Sequence, residues 1–275
     1  MLKILSFFIY TNIIVSLSAW SLYKITEILF NFYNYNLGMF VFFSTLLAYN
    51  YMRLPFFSSL ETERSKWVHD NINFIYCVIL LSLVMTIYLI VTLGCKFFFL
   101  ISPVIFISAM YPIQIRLSNY IYNIRNIPLL KMILISLSWL YITLIVPLIF
   151  SNYQISYYEI DMIFQRFLFV LSICITFDIK DYQIDSIVTL PRCIGIQQSK
   201  YFAIFCLFII EILLLINLLN SVISFNIFLA LILSIEISAV IIYSSNEKRH
   251  AWFYDIMVES LSIIMCLFVF FTSTF

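Results

Sequence analysis

The sequence predicts an all-α, polytopic membrane protein of about nine transmembrane helices bundled around a central cavity, and three observations carry that prediction. The 275 residues are 64% hydrophobic, with a mean hydropathy of +1.05. The apolar residues come in continuous runs near or above the ~18 that cross a bilayer as a helix. Three glycines and six prolines leave little room for a turn-rich barrel, and the runs do not alternate as barrel strands do. Spans of this kind satisfy their own backbone polar groups as helices.

Taken in order, the runs place spans at 4–22, 36–53, 73–93, 95–111, 129–150, 160–178, 201–220, 222–243 and 252–274. The first has Lys3, an apolar stretch and small residues near Ala19, a pattern shared with signal peptides; it is read as a retained helix. The third and fourth nearly touch, which requires a tight hairpin at Gly94. No linker divides the series, so residues 1–275 are expected to form a single transmembrane domain.

Charge placement orients the chain. With nine spans, one side holds twelve basic residues (Lys3, Arg53, Arg64, Lys66, Arg116, Arg125, Lys131, Lys180, Arg192, Lys200, Lys248, Arg249) and the other three (Lys24, Lys96, Arg166). The basic side is therefore expected to be cytoplasmic. The long polar loops after the second, fourth and sixth spans share that side, where a rigid scaffold can hold functional groups. The expected location is a bacterial inner membrane with the active side cytoplasmic. A formal net charge of +1 and the lack of a basic cluster argue against an electrostatic nucleic-acid binder. Six cysteines form no CxxC pair and mostly lie inside apolar runs, so neither a disulfide framework nor a zinc site is expected.

Charge is concentrated in one stretch, Phe177–Gly195, "FDIKDYQIDSIVTLPRCIG". If the sixth helix continues past Asp178, steps of ~100° per residue put Asp178, Asp181 and Asp185 within ~60° of one another, with Lys180 on the far side. Three carboxylates on one face repel unless a cation sits among them. Mg²⁺ takes one or two carboxylates and keeps places for water and substrate phosphate, so a Mg²⁺-bridged diphosphate suits this arrangement. Arg192 and Lys200 are placed to add charge-assisted bonds to phosphate oxygens. The plain alternative is a solvated interhelical loop.

Asp178-x-x-Asp181-x-x-x-Asp185, followed by Thr189-Leu190-Pro191 and Gly195, resembles the second aspartate-rich motif of the UbiA-type intramembrane prenyltransferases. Upstream, "YPIQIRLSNYIYNIRNIPLLKMILISLSW", with Tyr111, Pro112, Arg125, Pro128, Lys131 and Trp139, is similar to the segment joining the family's fourth and fifth helices. The resemblance implies a helical bundle around a lipid-accessible cavity and a polyprenyl diphosphate held through Mg²⁺. Ionisation of that diphosphate would leave an allylic cation to alkylate a lipophilic acceptor. It also implies Asp178, Asp181 and Asp185 as metal-holding catalytic residues; Asn50, Arg53, Lys131, Arg192 and Lys200 are the candidate residues for the diphosphate. A dry site with aromatic faces suits a carbocation, and the chain has 29 Phe and 19 Tyr.

The sequence departs from the family at the first aspartate-rich motif. There it reads "AYNYMRLPFFSSLETERSKW": Asn50 matches, but Tyr51, Leu54 and Ser58 stand where aspartates would be. A two-metal site of the usual kind is not expected. Arg53, with Arg64 and Lys66, is one candidate to meet the diphosphate directly, since guanidinium matches phosphate geometry. Glu61 or Glu63 folding back as a ligand is another, and a solvated loop is a third. Glu211, Glu236 and Glu259 lie in apolar runs, where a carboxylate usually faces a cavity or a partner. Asp255 and Glu259 share a helix face and are placed either to serve an acceptor or to be satisfied by neighbouring tyrosine and serine. His69 and His250 receive no role.

Three functions remain. The first is prenyl transfer from a polyprenyl diphosphate to a small acceptor in the bilayer. The second is a catalytically inactive protein of the same fold that binds an isoprenoid or acts as a membrane scaffold. A transporter, the third, lacks the repeats and broken helix pairs that would support it.

Overall fold

The computed structural model describes the backbone of residues 2–57, 63–113, 115–117, 120–122, 127–153, 156–183 and 188–273, and their side chains except at 2–5, 54–57, 115–117, 120–122, 157 and 158. The first apolar run forms α1 (Leu2–Tyr10) and α2 (Ile13–Leu29), seven residues beyond the expected end at 22. The two are divided at Thr11-Asn12, where Asn12 takes a left-handed backbone with φ 62. Asparagine is among the few side chains that tolerate this conformation. α3 (Tyr35–Phe57), α4 (Glu63–Asp70), α5 (Ile72–Leu93) and α6 (Cys95–Met110) follow. Gly94 makes the expected hairpin between α5 and α6 at φ 90, a region that L side chains rarely enter.

Between α6 and α7 (Leu130–Leu140), β1 (Ile115–Leu117) and β2 (Tyr120–Tyr122) form a short antiparallel pair, with Arg116 opposite Ile121. This adds a strand pair, in a polar connection, to the all-α prediction. α7 runs through a π-helical stretch, Tyr141–Ile145, into α8 (Val146–Phe150). Then come α9 (Tyr157–Lys180), α10 (Leu190–Ile194), α11 (Ile196–Leu219), α12 (Phe225–Tyr243), a π-helical stretch at Phe253–Val258, and α13 (Leu261–Ser273).

Among the described residues, six rods are long and apolar enough to cross a membrane: Ile72–Leu93, Leu130–Phe150, Glu159–Lys180, Ile196–Leu219, Phe225–Tyr243 and Phe253–Ser273. α6 is a shorter apolar helix. The protein is thus an integral membrane protein. Prolines inside these rods are compensated locally. Pro147 has no N–H for the Thr143 carbonyl four residues back, and the Thr26 hydroxyl meets that carbonyl at 2.9 Å. The carbonyl of Phe99, four before Pro103, accepts from Ser102 Oγ at 2.8 Å.

The chain forms two compact units, Met1–Trp20 with Tyr33–Ile124, and Ser21–Phe32 with Arg125–Phe275. In the first, α3 packs on α5, α5 packs on α6, and Phe40 meets Phe97 edge-on at 4.8 Å. In the second, α9 packs on α7 and α11, α11 on α12, and α12 on α13 around Leu22, Ile175, Ala203, Tyr254 and Val258. Without a hydrophobic drive between helices in lipid, close approach relies on small residues and hydrogen bonds. Ser172 on α9 illustrates both: its hydroxyl lies 2.9 Å from the Leu168 carbonyl and 3.1 Å from that of Ala203 on α11.

Candidate functional site

The aspartate stretch begins where α9 ends. The helix does not run on through Asp185: its last residue is Lys180, and Asp181 caps it with φ −85 and ψ 4. Asp178 is buried, Asp181 is partly exposed, and Asp185 lies outside the described residues. Carboxylates in the last turn face the negative end of the helix dipole, which adds to their mutual repulsion. A cation is indeed present. Lys131, in the first turn of α7, places Nζ 3.0 Å from Asp178 Oδ1 and 3.9 Å from Asp181 Oδ2.

The approach of α7 to this stretch is set by backbone. Leu129 precedes α7 with φ 60 and donates its N–H to the Val188 carbonyl at 3.3 Å, tying the start of α7 to the chain just beyond the aspartates. The next residue, Thr189, is buried, and its hydroxyl has no hydrogen-bond partner. The donors here are hard oxygens. Two carboxylates, with water and a phosphate oxygen, match the shell Mg²⁺ usually takes, so Asp178 and Asp181 fit one such ion. Among the described residues no three His, Cys, Asp or Glu gather as a ready-made cage.

Lys180 turns away from this pair, as its place on the helix requires, and its Nζ lies 2.5 Å from Asp255 Oδ1. Asp255 is therefore satisfied by a lysine rather than by tyrosine or serine. One α9 turn thus presents carboxylates to Lys131 and a lysine to the π-helical stretch before α13.

The first unit holds a second polar cluster. Asn50 Nδ2 donates to the carbonyls of Leu46 and Thr11 at 2.8 and 3.0 Å, and its Oδ1 accepts from Asn12 Nδ2 at 2.9 Å. These bonds settle which way both amides face, leaving Asn12 Oδ1 as an acceptor. Two guanidiniums meet it: Arg53 Nη1 and Arg64 Nη2, each at 2.6 Å. Donor atoms sharing one acceptor at that distance are at most ~5 Å apart, where two unit charges repel by ~3 kcal/mol at an effective dielectric constant of ~20. Tyr49 and Tyr10 lie under the Arg53 and Arg64 planes, at 5.2 and 5.9 Å from the ring centres. Tyr51 is exposed, the side chain of Leu54 and all of Ser58 and Glu61 lie outside the described residues, and Glu63 and Lys66 are exposed.

The remaining expected residues are placed elsewhere. Arg192 is exposed and donates to the Tyr182 carbonyl at 3.0 Å. Lys200 is buried and donates to the Tyr243 carbonyl at 3.2 Å, at the end of α12. Glu236 is exposed on α12 and Glu211 is half-buried on α11. A cavity of about 710 Å³ lies near the start of α9, lined by Asn31, Tyr153, Glu159, Ser224 and Asn226. Nineteen residues of helix separate Glu159 from Asp178, roughly 28 Å, so this cavity does not serve the aspartates.

Sequence reading missed Asn12, the acceptor shared by two arginines, although an Asn between two apolar runs was the available signal. It also missed Arg166, buried on α9, whose Nη1 donates to the Leu22 carbonyl at 2.7 Å and to Thr143 Oγ1 at 3.3 Å.

No protein-family model and no curated protein matches the sequence. A solved structure described as digeranylgeranylglyceryl phosphate synthase in membranes matches with a TM-score of 0.57 at 13% identity, covering 99% of this chain and 98% of its own. The likeness is one of fold, over essentially the whole length of both chains, and that fold is the one found in UbiA-type intramembrane prenyltransferases.

Proposed function

We propose that the chain is a prenyltransferase that moves a polyprenyl group from a Mg²⁺-bound diphosphate to a small acceptor, aromatic or lipidic, at the cytoplasmic face of a bacterial inner membrane. The observation that carries this reading is the cluster at the end of α9: Asp178 and Asp181 facing the Lys131 ammonium, with the orphaned Thr189 hydroxyl nearby in sequence. The shared fold with a membrane synthase supports it. Bound at Asp178, Asp181 and Asp185, Mg²⁺ would supply charge stabilisation to the leaving diphosphate. Lys131 keeps Asp178 compensated in the resting protein, and its positive charge would also attract a phosphate group bound beside that ion. Arg192, with one N–H on the Tyr182 carbonyl, keeps donors for the same group. Lys200 stays with the Tyr243 carbonyl and is not assigned to the substrate.

The test is turnover by purified protein given labelled geranylgeranyl diphosphate, Mg²⁺ and a panel of lipophilic acceptors, with Asp181→Asn as the control. Mg²⁺-dependent release of diphosphate that the substitution abolishes is the expected result. A second reading, an inactive isoprenoid-binding protein of this fold, is favoured by the loss of acidic residues at Tyr51, Leu54 and Ser58. Binding without turnover across the panel would select it.

A further inference from the structure

We propose that Lys200 and Arg249 form a headgroup site for an anionic phospholipid, where α11 begins and α12 ends. Lys200 Nζ donates to the Tyr243 carbonyl at 3.2 Å and Arg249 Nε to the Ser244 carbonyl at 2.9 Å. Consecutive carbonyls thus hold both cations, which are no more than ~10 Å apart. Helix ends attract such donors, and capping explains one bond from each residue. It does not account for the charge. A helix end carries about half a negative elementary charge, against two positive charges here. Among the described residues neither cation forms an ion pair, and Glu247, two residues before Arg249, pairs with neither. Arg249 is held in position as well: its guanidinium lies over the Phe253 ring, 4.9 Å from the ring centre. Its Nη atoms carry no hydrogen bond among the described residues, and the side chain is exposed, so those donors are open to a ligand. Lys200 is buried and adds its charge from within the helix pair.

Position in the membrane selects the ligand. Ile196–Leu219 and Phe225–Tyr243 are both long and apolar enough to span, so the start of one and the end of the other lie where the rods leave the hydrocarbon. Lipid phosphates occupy that level, and basic pockets between helix ends there hold anionic headgroups. A guanidinium matches phosphate oxygens as a fork. A phosphodiester without a neighbouring ammonium keeps its full charge for the two cations, whereas a zwitterionic headgroup brings a third positive charge to the same place. Tyr201 and Tyr243, both exposed, flank Lys200 and its carbonyl with amphipathic rings of the kind that settle at headgroup level. Prenyl transfer plays no part in this argument, so the site and the prenyltransferase reading stand or fall separately.

The experiment uses the full chain, delipidated in dodecyl maltoside, and measures binding of fluorescent phosphatidylglycerol and of phosphatidylcholine with the same acyl chains. Wild type, Arg249→Gln, Lys200→Met and Lys248→Gln are compared, each checked for fold by gel filtration and thermal melting. Wild type should bind phosphatidylglycerol about ten-fold or more tightly than phosphatidylcholine. Arg249→Gln and Lys200→Met should each weaken phosphatidylglycerol by about five-fold or more and leave phosphatidylcholine unmoved. Lys248→Gln makes the same change of charge at the exposed neighbouring residue and should stay within about two-fold of wild type. If Lys200→Met does not fold, Arg249→Gln against Lys248→Gln decides. Equal losses in those two variants would mean diffuse attraction to a basic face and overturn the site, as would a wild type without preference between the lipids. Glycerol 3-phosphate that displaces the lipid as effectively as unlabelled phosphatidylglycerol would place the ligand in solution and overturn the lipid assignment.

Discussion

Replacing Lys131 by methionine tests the charge arrangement at the end of α9 most directly. Its ammonium lies 3.0 Å from Asp178 Oδ1, with side-chain exposures of 15% and 4% for the pair. At an effective dielectric constant of ~20 the gross attraction at that distance is about 5 kcal/mol, and removing one partner of such a buried pair typically costs about 3–5 kcal/mol. Asp181 contributes less: it sits 3.9 Å from the ammonium and is 37% exposed, where solvent limits a pair to about 1 kcal/mol or below. Lys131→Met should therefore destabilise the protein by about 3 kcal/mol. The double variant Lys131→Met/Asp178→Asn, which removes the carboxylate's charge as well, should recover most of that loss. Reversible unfolding in detergent, followed through tryptophan fluorescence, measures all three proteins. Mg²⁺ supplies a second readout. An ion that takes the place of the ammonium should stabilise Lys131→Met more than wild type, in proportion to its occupancy. A Lys131→Met protein within about 0.5 kcal/mol of wild type, with no added response to Mg²⁺, would refute the compensation argument.

Other perturbations have equally definite outcomes. Asp255→Ala leaves Lys180 without the carboxylate it holds at 2.5 Å and should cost about 3 kcal/mol in the same unfolding assay, with Asp255→Ala/Lys180→Met recovering part of it. Arg166→Ala removes the donors serving the Leu22 carbonyl and Thr143 Oγ1 and should cost about 2–3 kcal/mol; Arg166→Lys should restore less than half, because one ammonium cannot reproduce the fork. Gly94→Ala meets no atom within 4 Å, so its cost is that of backbone conformation alone, about 1–2 kcal/mol, visible as a lower melting temperature.

The departures from the sequence reading have physical causes. The span expected to end at 22 continues to Leu29 as helix even though it carries Lys24 and Glu27, because those two pair with each other and Tyr23 donates to Glu27 at 2.6 Å. An apolarity rule ends a helix at charges that the fold neutralises. Lys200 looked available for the diphosphate by its nearness to Arg192 in sequence; on α11 its side chain instead reaches an open carbonyl at the end of α12. Asp181 was placed on a helical face that stops one residue earlier, since capping geometry, not amphipathicity, ends α9.

From sequence alone came the membrane class, most of the helical spans and the hairpin at Gly94. In lipid every backbone polar group must be satisfied close by along the chain, so continuous apolar runs leave helices as the local solution. The stretch worth attention was equally legible, because charge is scarce in a chain only 11% charged. What only the tertiary structure decided is which cation answers which anion or amide. Lys131 and Asp178 are 47 residues apart, Lys180 and Asp255 75, and Arg53 and Arg64 are 41 and 52 from the Asn12 they share. Charge interactions depend on distance in space and on the loss of water around each group, and neither quantity exists until the helices have packed.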